Sequence, residues 1–228
     1  MVKDRRIVSL LSGGLDSTTC LYVALKQGFA VHALTINYGQ RHVREMECAR
    51  WITDHLEIEI KELTIQLPWK GSALLDSDIL IPKGRSLEEM SSEIPATYVP
   101  ARNTIFLSFA LSWAEILRAE AIYIGANTLD YSGYPDCRPE YFRAMEEVFE
   151  KATKVGVQGE KIRIEAPLLH KTKAEIIKWG HELGVPFEHT WSCYQGKSAP
   201  CGECDSCLLR QKGFQEADLM DPLMSLAR

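Results

Sequence analysis

The chain has 228 residues, enough for one α/β domain with a small appendage. Hydrophobic residues make up 46% and charged residues 25%, and no apolar run approaches the ~18 residues of a membrane span, so the chain reads as globular and cytosolic. A net charge of −5 weighs against a binder of duplex nucleic acid, which needs a basic excess over the phosphates, and favours a small-molecule substrate.

Short apolar runs alternate with helical periodicity. A strand is predicted at 7–11 and a helix at 16–26, closed by Gly28. A second strand at 30–36 precedes a helix at 44–55, where Met46, Ala49, Ile52 and Leu56 recur at helical spacing. A third strand follows at 58–63. The stretch 67–100 lacks periodicity and is rich in Ser, Gly and Pro, so it reads as a long, mobile loop near the site. Then come an apolar helix at 104–117, a strand at 121–125, an amphipathic helix at 141–154, a strand at 162–166 and a helix at 173–183 before Gly184. This alternation predicts a parallel five-stranded sheet flanked by helices, with ligands at the carboxyl ends of the strands. The α/β pattern stops near Thr190 and a cysteine-rich segment begins, which divides the chain into 1–189 and 190–228.

The first strand and helix are joined by Ser12-Gly13-Gly14-Leu15-Asp16-Ser17-Thr18-Thr19. Two glycines let backbone N–H groups approach an anion, and the helix N-terminus adds free donors and positive dipole. The hydroxyls of Ser12, Ser17, Thr18 and Thr19 are further donors. The loop lacks the lysine of a Walker loop and the spacing of a dinucleotide fingerprint. A plain capped turn is the bland alternative.

Seven cysteines occur, and Cys193, Cys201, Cys204 and Cys207 form C-x7-C-x2-C-x2-C. In a cytosolic chain such crowding points to a metal rather than to disulfides. Four thiolates fit a closed, structural zinc site, with an iron–sulfur cluster as the main rival. Cys20 and Cys48 fall on helix faces of core type.

The string Ser12-Gly13-Gly14-Leu15-Asp16-Ser17 resembles the S-G-G-x-D-S signature of the PP-loop ATP pyrophosphatase family. That resemblance implies ATP as co-substrate, Mg²⁺ on its pyrophosphate, and an adenylated intermediate. Further strings narrow it: Asn37-Tyr38-Gly39-Gln40-Arg41-His42, Val99-Pro100-Ala101-Arg102-Asn103-Thr104, Gly125-Ala126-Asn127, the run from Asp130 to Arg138, and Thr190-Trp191-Ser192-Cys193-Tyr194. With the cysteine spacing, they resemble the 7-cyano-7-deazaguanine synthase family from Ile7 to about Phe214. Leu15 and Ala101 stand where many relatives have Gln and Gly.

The resemblance implies conversion of 7-carboxy-7-deazaguanine and ammonia to a nitrile through two adenylations, with no nucleic acid or membrane partner and a homodimeric assembly. It implies an ATP-binding set of Leu11, Ser12, Gly13, Gly14, Leu15, Asp16, Ser17, Thr18, Thr19, Cys20, Leu21, Tyr38, Gln40 and Arg41. Asp16, Ser17, Arg102 and Lys173 are the expected catalytic residues. Arg102, Asn103, Asp130, Tyr131, Asp136 and Arg138 are the expected substrate contacts, with Tyr131 or Tyr134 stacking on the ring. Asn103 also reads as the cap of the following helix. The rival functions are a PP-loop tRNA-modifying enzyme and a zinc-ribbon binding module with a relic loop. The first would need a basic RNA surface, and the second would not keep the loop intact.

Overall fold

The computed structural model describes residues 5–41, 43–128 and 134–225. Five strands, β1 (Arg6–Leu10), β2 (Ala30–Asn37), β3 (Ile60–Thr64), β4 (Ala121–Ile124) and β5 (Arg163–Glu165), form one sheet in the order β3-β2-β1-β4-β5. Every pairing is parallel. The helices are α1 (Leu15–Lys26), α2 (Arg44–His55), α3 (Leu87–Ser92), α4 (Arg102–Leu117), α5 (Pro139–Ala152), α6 (Lys154–Val157), α7 (Lys173–Glu182), α8 (Asp205–Glu216) and α9 (Pro222–Ser225). The expected fold class is the observed one.

The central strands are apolar on both faces because both faces are covered. Ile7, Val8 and Ile122 are fully buried. Side chains of α1, α2, α7 and α8 pack on one face with Ile7, Val31 and Tyr123. Side chains of α4 and α5 pack on the other with Val8, Leu34 and Ile122. The chain runs outward from β1 to β2 and β3, then returns to β4 on the opposite side of β1. The crevice at that reversal, beyond the carboxyl ends of β1 and β4, is where a doubly wound sheet places its ligand.

Helix α4 starts two residues before its predicted bound, so Asn103 lies inside its first turn. Asn103 is not the cap. Ala101 occupies that position with φ 53°, in the left-handed region that favours glycine. The backbone N–H of Asn103 is satisfied from across the chain by Asp136 Oδ2, at 3.0 Å.

The stretch 67–100 is not the open loop its composition suggests. It contains α3, opened by a reciprocal Ser86–Glu89 capping box. Ala73 and Ile81 are buried among the cysteines of the C-terminal segment. Lys83 pairs with Cys204 in an isolated antiparallel bridge, and Arg85 forms an ion pair with Asp205 at the start of α8. Helix α8 was not legible in the sequence. It begins inside the cysteine run, and its buried residues, including Cys207, Leu209, Arg210 and Gly213, mix polar with apolar types.

Candidate active site

The glycine loop is closed by its own hydrogen bonds. Ser17 Oγ donates to Gly14 O at 3.1 Å and lies 2.9 Å from Ser12 Oγ, and Ser12 Oγ accepts from the Gly14 N–H at 3.1 Å. Gly13 has φ +87°, and a Cβ there would lie 2.0 Å from Glu45 O of α2, so the position excludes a side chain twice over. Gly14, at the N-cap, offers no side chain to cap α1, and Leu15, Asp16 and Ser17 of the first turn line the crevice, the end of a helix suited to an anion.

Lys173, the first residue of α7, reaches across the crevice to Asp16 in the first turn of α1. Its Nζ lies 2.7 Å from each carboxylate oxygen. Lys173 is 13% exposed and Asp16 is 30% exposed, so the pair sits at the rim with its charge directed at the loop. The Thr172–Glu175 capping box fixes the start of α7. Gly213 of α8 leaves the notch that the lysine stem fills, because a Cβ there would come within 2.3 Å of Lys173 Cγ.

Arg102, at the start of α4, enters from the opposite face of the sheet. Its Nη1 donates to the Tyr38 hydroxyl at 3.4 Å, and its Cζ lies 5.8 Å from the Tyr38 ring centre. Burial works against its charge, but the Tyr38 and Tyr134 hydroxyls and Asp136 outweigh it and hold the guanidinium charged. Among the described residues no carboxylate oxygen lies within 4.0 Å of it. Burial also keeps the Tyr38 hydroxyl and the Cys137 thiol neutral, the latter pushed up to about 11 with help from Asp136. At the α4 side the cavity thus offers the Arg102 cation beside the neutral Tyr38 hydroxyl, and Cys137 is no thiolate nucleophile.

These groups line one cavity of about 270 Å³. It gathers Leu11, Ser12, Gly14, Leu15, Asp16, Ser17, Tyr38, Gln40, Arg102, Asn103, Tyr134 and Lys173 from the expected set. Others do not reach it. The Thr18 and Thr19 hydroxyls donate to Gly14 O and Leu15 O within α1, so they are not available as phosphate donors. Cys20 and Leu21 are fully buried in the core, on the side of α1 away from the crevice. Arg41 turns outward and holds the 67–100 stretch through Asp76 O and Ile79 O. Asp136 serves α4 as described, and Arg138 is exposed at the start of α5. Asp130, Tyr131 and His42 lie outside the described residues. Glu45, Trp191, Ser192, Tyr194, Ser206 and Arg210 also line the cavity. Trp191, Ser192 and Tyr194 sat in a string the sequence marks out, and their position beside Cys193 was the available signal.

Behind that wall, the sulfurs of Cys193, Cys201, Cys204 and Cys207 lie within 4.8 Å of one another. Sulfurs about 2.3 Å from a tetrahedral cation stand about 3.8 Å apart, and Cys201 and Cys207 are at 3.9 Å. The N–H groups of Gln195 and Cys201 point at Cys193 Sγ, and that of Cys204 at Cys201 Sγ. Thiol hydrogen bonds from Cys204 and Cys207, with those N–H groups, pull the Cys193 thiol down, while Cys204 and Cys207 are pushed up as its donors. Four sulfurs at this spacing, with backbone N–H groups directed at two of them, are a donor set suited to a tetrahedral cation.

Gly125, at the end of β4, sets how closely the strand passes the loop. A Cβ there would lie 2.8 Å from the Ser17 Cα and N atoms, which are backbone and cannot turn aside. Gly125→Ala should displace the start of α1, at about 1–3 kcal/mol in stability, and weaken ATP binding more than it lowers the melting temperature. Equilibrium binding of an ATP analogue beside a thermal melt checks this.

The strand order, the glycine loop at the first β–α junction and the crevice define a doubly wound α/β protein of the PP-loop fold. The profile described as "Queuosine biosynthesis protein QueC" matches residues 6–218. A 7-cyano-7-deazaguanine synthase from Trichodesmium erythraeum is 57% identical over 221 residues, 96% of this chain and 100% of that protein. One from Thermoplasma acidophilum is 52% identical over 222 residues, 97% of this chain and 92% of that protein. The solved NMN synthetase from Francisella tularensis superposes with a TM-score of 0.49 at 15% identity, covering 96% of this chain and 89% of that one. The chain belongs to the QueC family of queuosine biosynthesis proteins. No helix among the described residues is long and apolar enough to cross a membrane.

Proposed function

We propose that this protein is a 7-cyano-7-deazaguanine synthase that joins 7-carboxy-7-deazaguanine and ammonia at the expense of two ATP. The observation that carries the reading is the meeting of three groups in one cavity: the uncapped N-terminus of α1, the Asp16–Lys173 pair and the charged Arg102. The names of the relatives support it.

In this reading the glycine loop holds the β- and γ-phosphates, and Lys173, oriented by Asp16, neutralises charge as pyrophosphate leaves. Ser12 and Ser17 steady the loop, and Tyr38 and Gln40 face the adenosine. Arg102 holds the substrate carboxylate, since its fork matches a planar anion. Asn103 positions α4, Tyr134 flanks the ring, and Asp130 and Tyr131 remain proposed contacts. The carboxylate oxygen attacks the α-phosphorus and pyrophosphate departs. Ammonia adds to the acyl carbon, loses a proton, and expels AMP to leave an amide. The amide oxygen then attacks the α-phosphorus of a second ATP. Loss of the two N–H protons and of AMP leaves the nitrile.

Mg²⁺ would neutralise the pyrophosphate. Cys193, Cys201, Cys204 and Cys207 would hold one zinc ion, which with four thiolates leaves no position open for water and is structural. Residues 1–189 would form the ATP-binding unit and 190–228 the zinc-binding segment. The enzyme would act in the cytoplasm as a homodimer, without nucleic acid. The exposed Phe109 and Ile116 of α4 offer apolar surface for the second copy.

Both carboxylate oxygens leave on AMP in this scheme. With ¹⁸O-labelled carboxylate, ATP, Mg²⁺ and ammonia, mass spectrometry should find two labelled AMP for each nitrile. No AMP from metal-loaded protein would sink the proposal, and AMP formed only with tRNA would replace it with a tRNA-modifying reaction.

A further inference from the structure

Arg210 lines the cavity and is only 4% exposed, yet it is not placed to bind a ligand. Its Nε and Nη2 donate to the two carboxylate oxygens of Asp221 at 2.7 and 2.8 Å. Nη2 also donates to Phe187 O at 2.9 Å. Nη1 donates to Thr190 Oγ1 at 2.8 Å and, at 3.4 Å, to Thr190 O and Ser192 Oγ. A guanidinium has five N–H donors. Every nitrogen of this one is occupied by protein, and its charge is met by a buried carboxylate.

What Arg210 grips is the segment from Phe187 to Ser192. In the middle of that segment the Trp191 N–H donates to Gly13 O at 3.0 Å. Gly13 is the residue whose φ of +87° shapes the glycine loop. The Trp191 ring is fixed in turn, because its Nε1 donates to Cys193 O at 2.9 Å. Hydrogen bonds therefore run from Asp221 through Arg210 to Thr190, and the adjoining residue Trp191 carries the link on to the loop.

We propose that Arg210 is a positioning residue for the glycine loop: with Asp221 it holds 187–192 so that Trp191 pins Gly13 in its phosphate-binding conformation. The proposal rests on the reading of that loop as the ATP phosphate site. The competing role is a phosphate-binding arginine, and the two roles diverge on substitution. Arg210→Lys keeps the charge and loses the fork, so positioning fails while phosphate attraction is largely retained. Asp221→Asn leaves Arg210 in place without its counter-charge. Positioning then suffers, whereas a phosphate-binding arginine would be freed.

The test is calorimetry of a non-hydrolysable ATP analogue on the full-length, metal-loaded protein, with amide hydrogen exchange read at Trp191. Arg210→Lys and Asp221→Asn should each weaken the analogue about ten-fold, the size of one well-placed hydrogen bond. Both should speed exchange of the Trp191 amide and leave the β1 and β4 amides as protected as before. Unchanged or tighter binding in Asp221→Asn overturns the proposal, as does weakened binding with Trp191 protection intact. Thr190→Val is nearly isosteric, removes the hydroxyl that Nη1 holds, and carries the same expectations if Asp221→Asn does not fold. Wild-type protein that binds the analogue but forms no AMP with the deazaguanine acid defeats the proposed reaction and leaves the positioning role standing. Wild-type protein that does not bind the analogue defeats both.

Discussion

Lys173→Met should lower the rate of AMP formation roughly 10²–10³-fold, the usual loss when one preorganised charge is withdrawn from a leaving phosphoryl group. Methionine keeps the Cβ and Cγ that fill the notch at Gly213, so the packing of α7 on α8 survives. Asp16 is 30% exposed at the rim, where water reaches its carboxylate with or without the ammonium. The melting temperature should therefore stay within a few degrees of wild type. Asp16→Ala should be comparably inactive for a different reason. Both its oxygens hold Nζ at 2.7 Å, and without them the lysine keeps its charge but loses its aim. Single-turnover pyrophosphate release, with far-ultraviolet circular dichroism as the control, separates these outcomes. Full activity in either variant would remove the pair from the mechanism.

Cys204→Ser should do the reverse, chiefly lowering metal content and thermal stability. Cys204 is fully buried, bridges to Lys83 and precedes the first residue of α8. A serine oxygen is a poor substitute for a thiolate at a soft site. Structural metal sites supply folding free energy directly. A loss of several kcal/mol corresponds to a fall of roughly 10 °C or more, at about 2–4 °C per kcal/mol for a chain of this size. Plasma emission spectrometry and calorimetry check this. Residues 67–100 should loosen as well, because Ala73 and Ile81 are buried against the cysteines. If Asp16→Ala and Cys204→Ser gave the same folding defect, the separation of reaction site from structural site would be wrong.

The alternation of strands and helices was legible because each element carries its own period, and a parallel sheet with buried central strands needs apolar runs such as Ile7-Val8. The glycine loop was legible because phosphate binding at a helix N-terminus is a local device, confined to Ser12 through Ser17. The cysteine set was legible for the same reason, since its ligands lie within fifteen consecutive positions. The 67–100 stretch was misjudged because its order comes from docking on the cysteine segment, and Ser, Gly and Pro in sequence look the same whether docked or free. The bonds of Thr18 and Thr19 were not legible, because a hydroxyl one turn into a helix bonds its own carbonyls at i−4.

By itself, then, the sequence determined the α/β class, the glycine loop at the first β–α junction and the four-thiol cluster, each written in residues adjacent or regularly spaced along the chain. Only the tertiary structure decided that Lys173 reaches Asp16 across 157 positions, that Asp136 rather than Asn103 satisfies the start of α4, and that Arg210 grips the segment whose Trp191 N–H bonds Gly13 O. Such meetings depend on how crossovers and helix packing bring remote segments to one crevice. No local period records that, because each partner alone obeys only the rules of its own helix or turn.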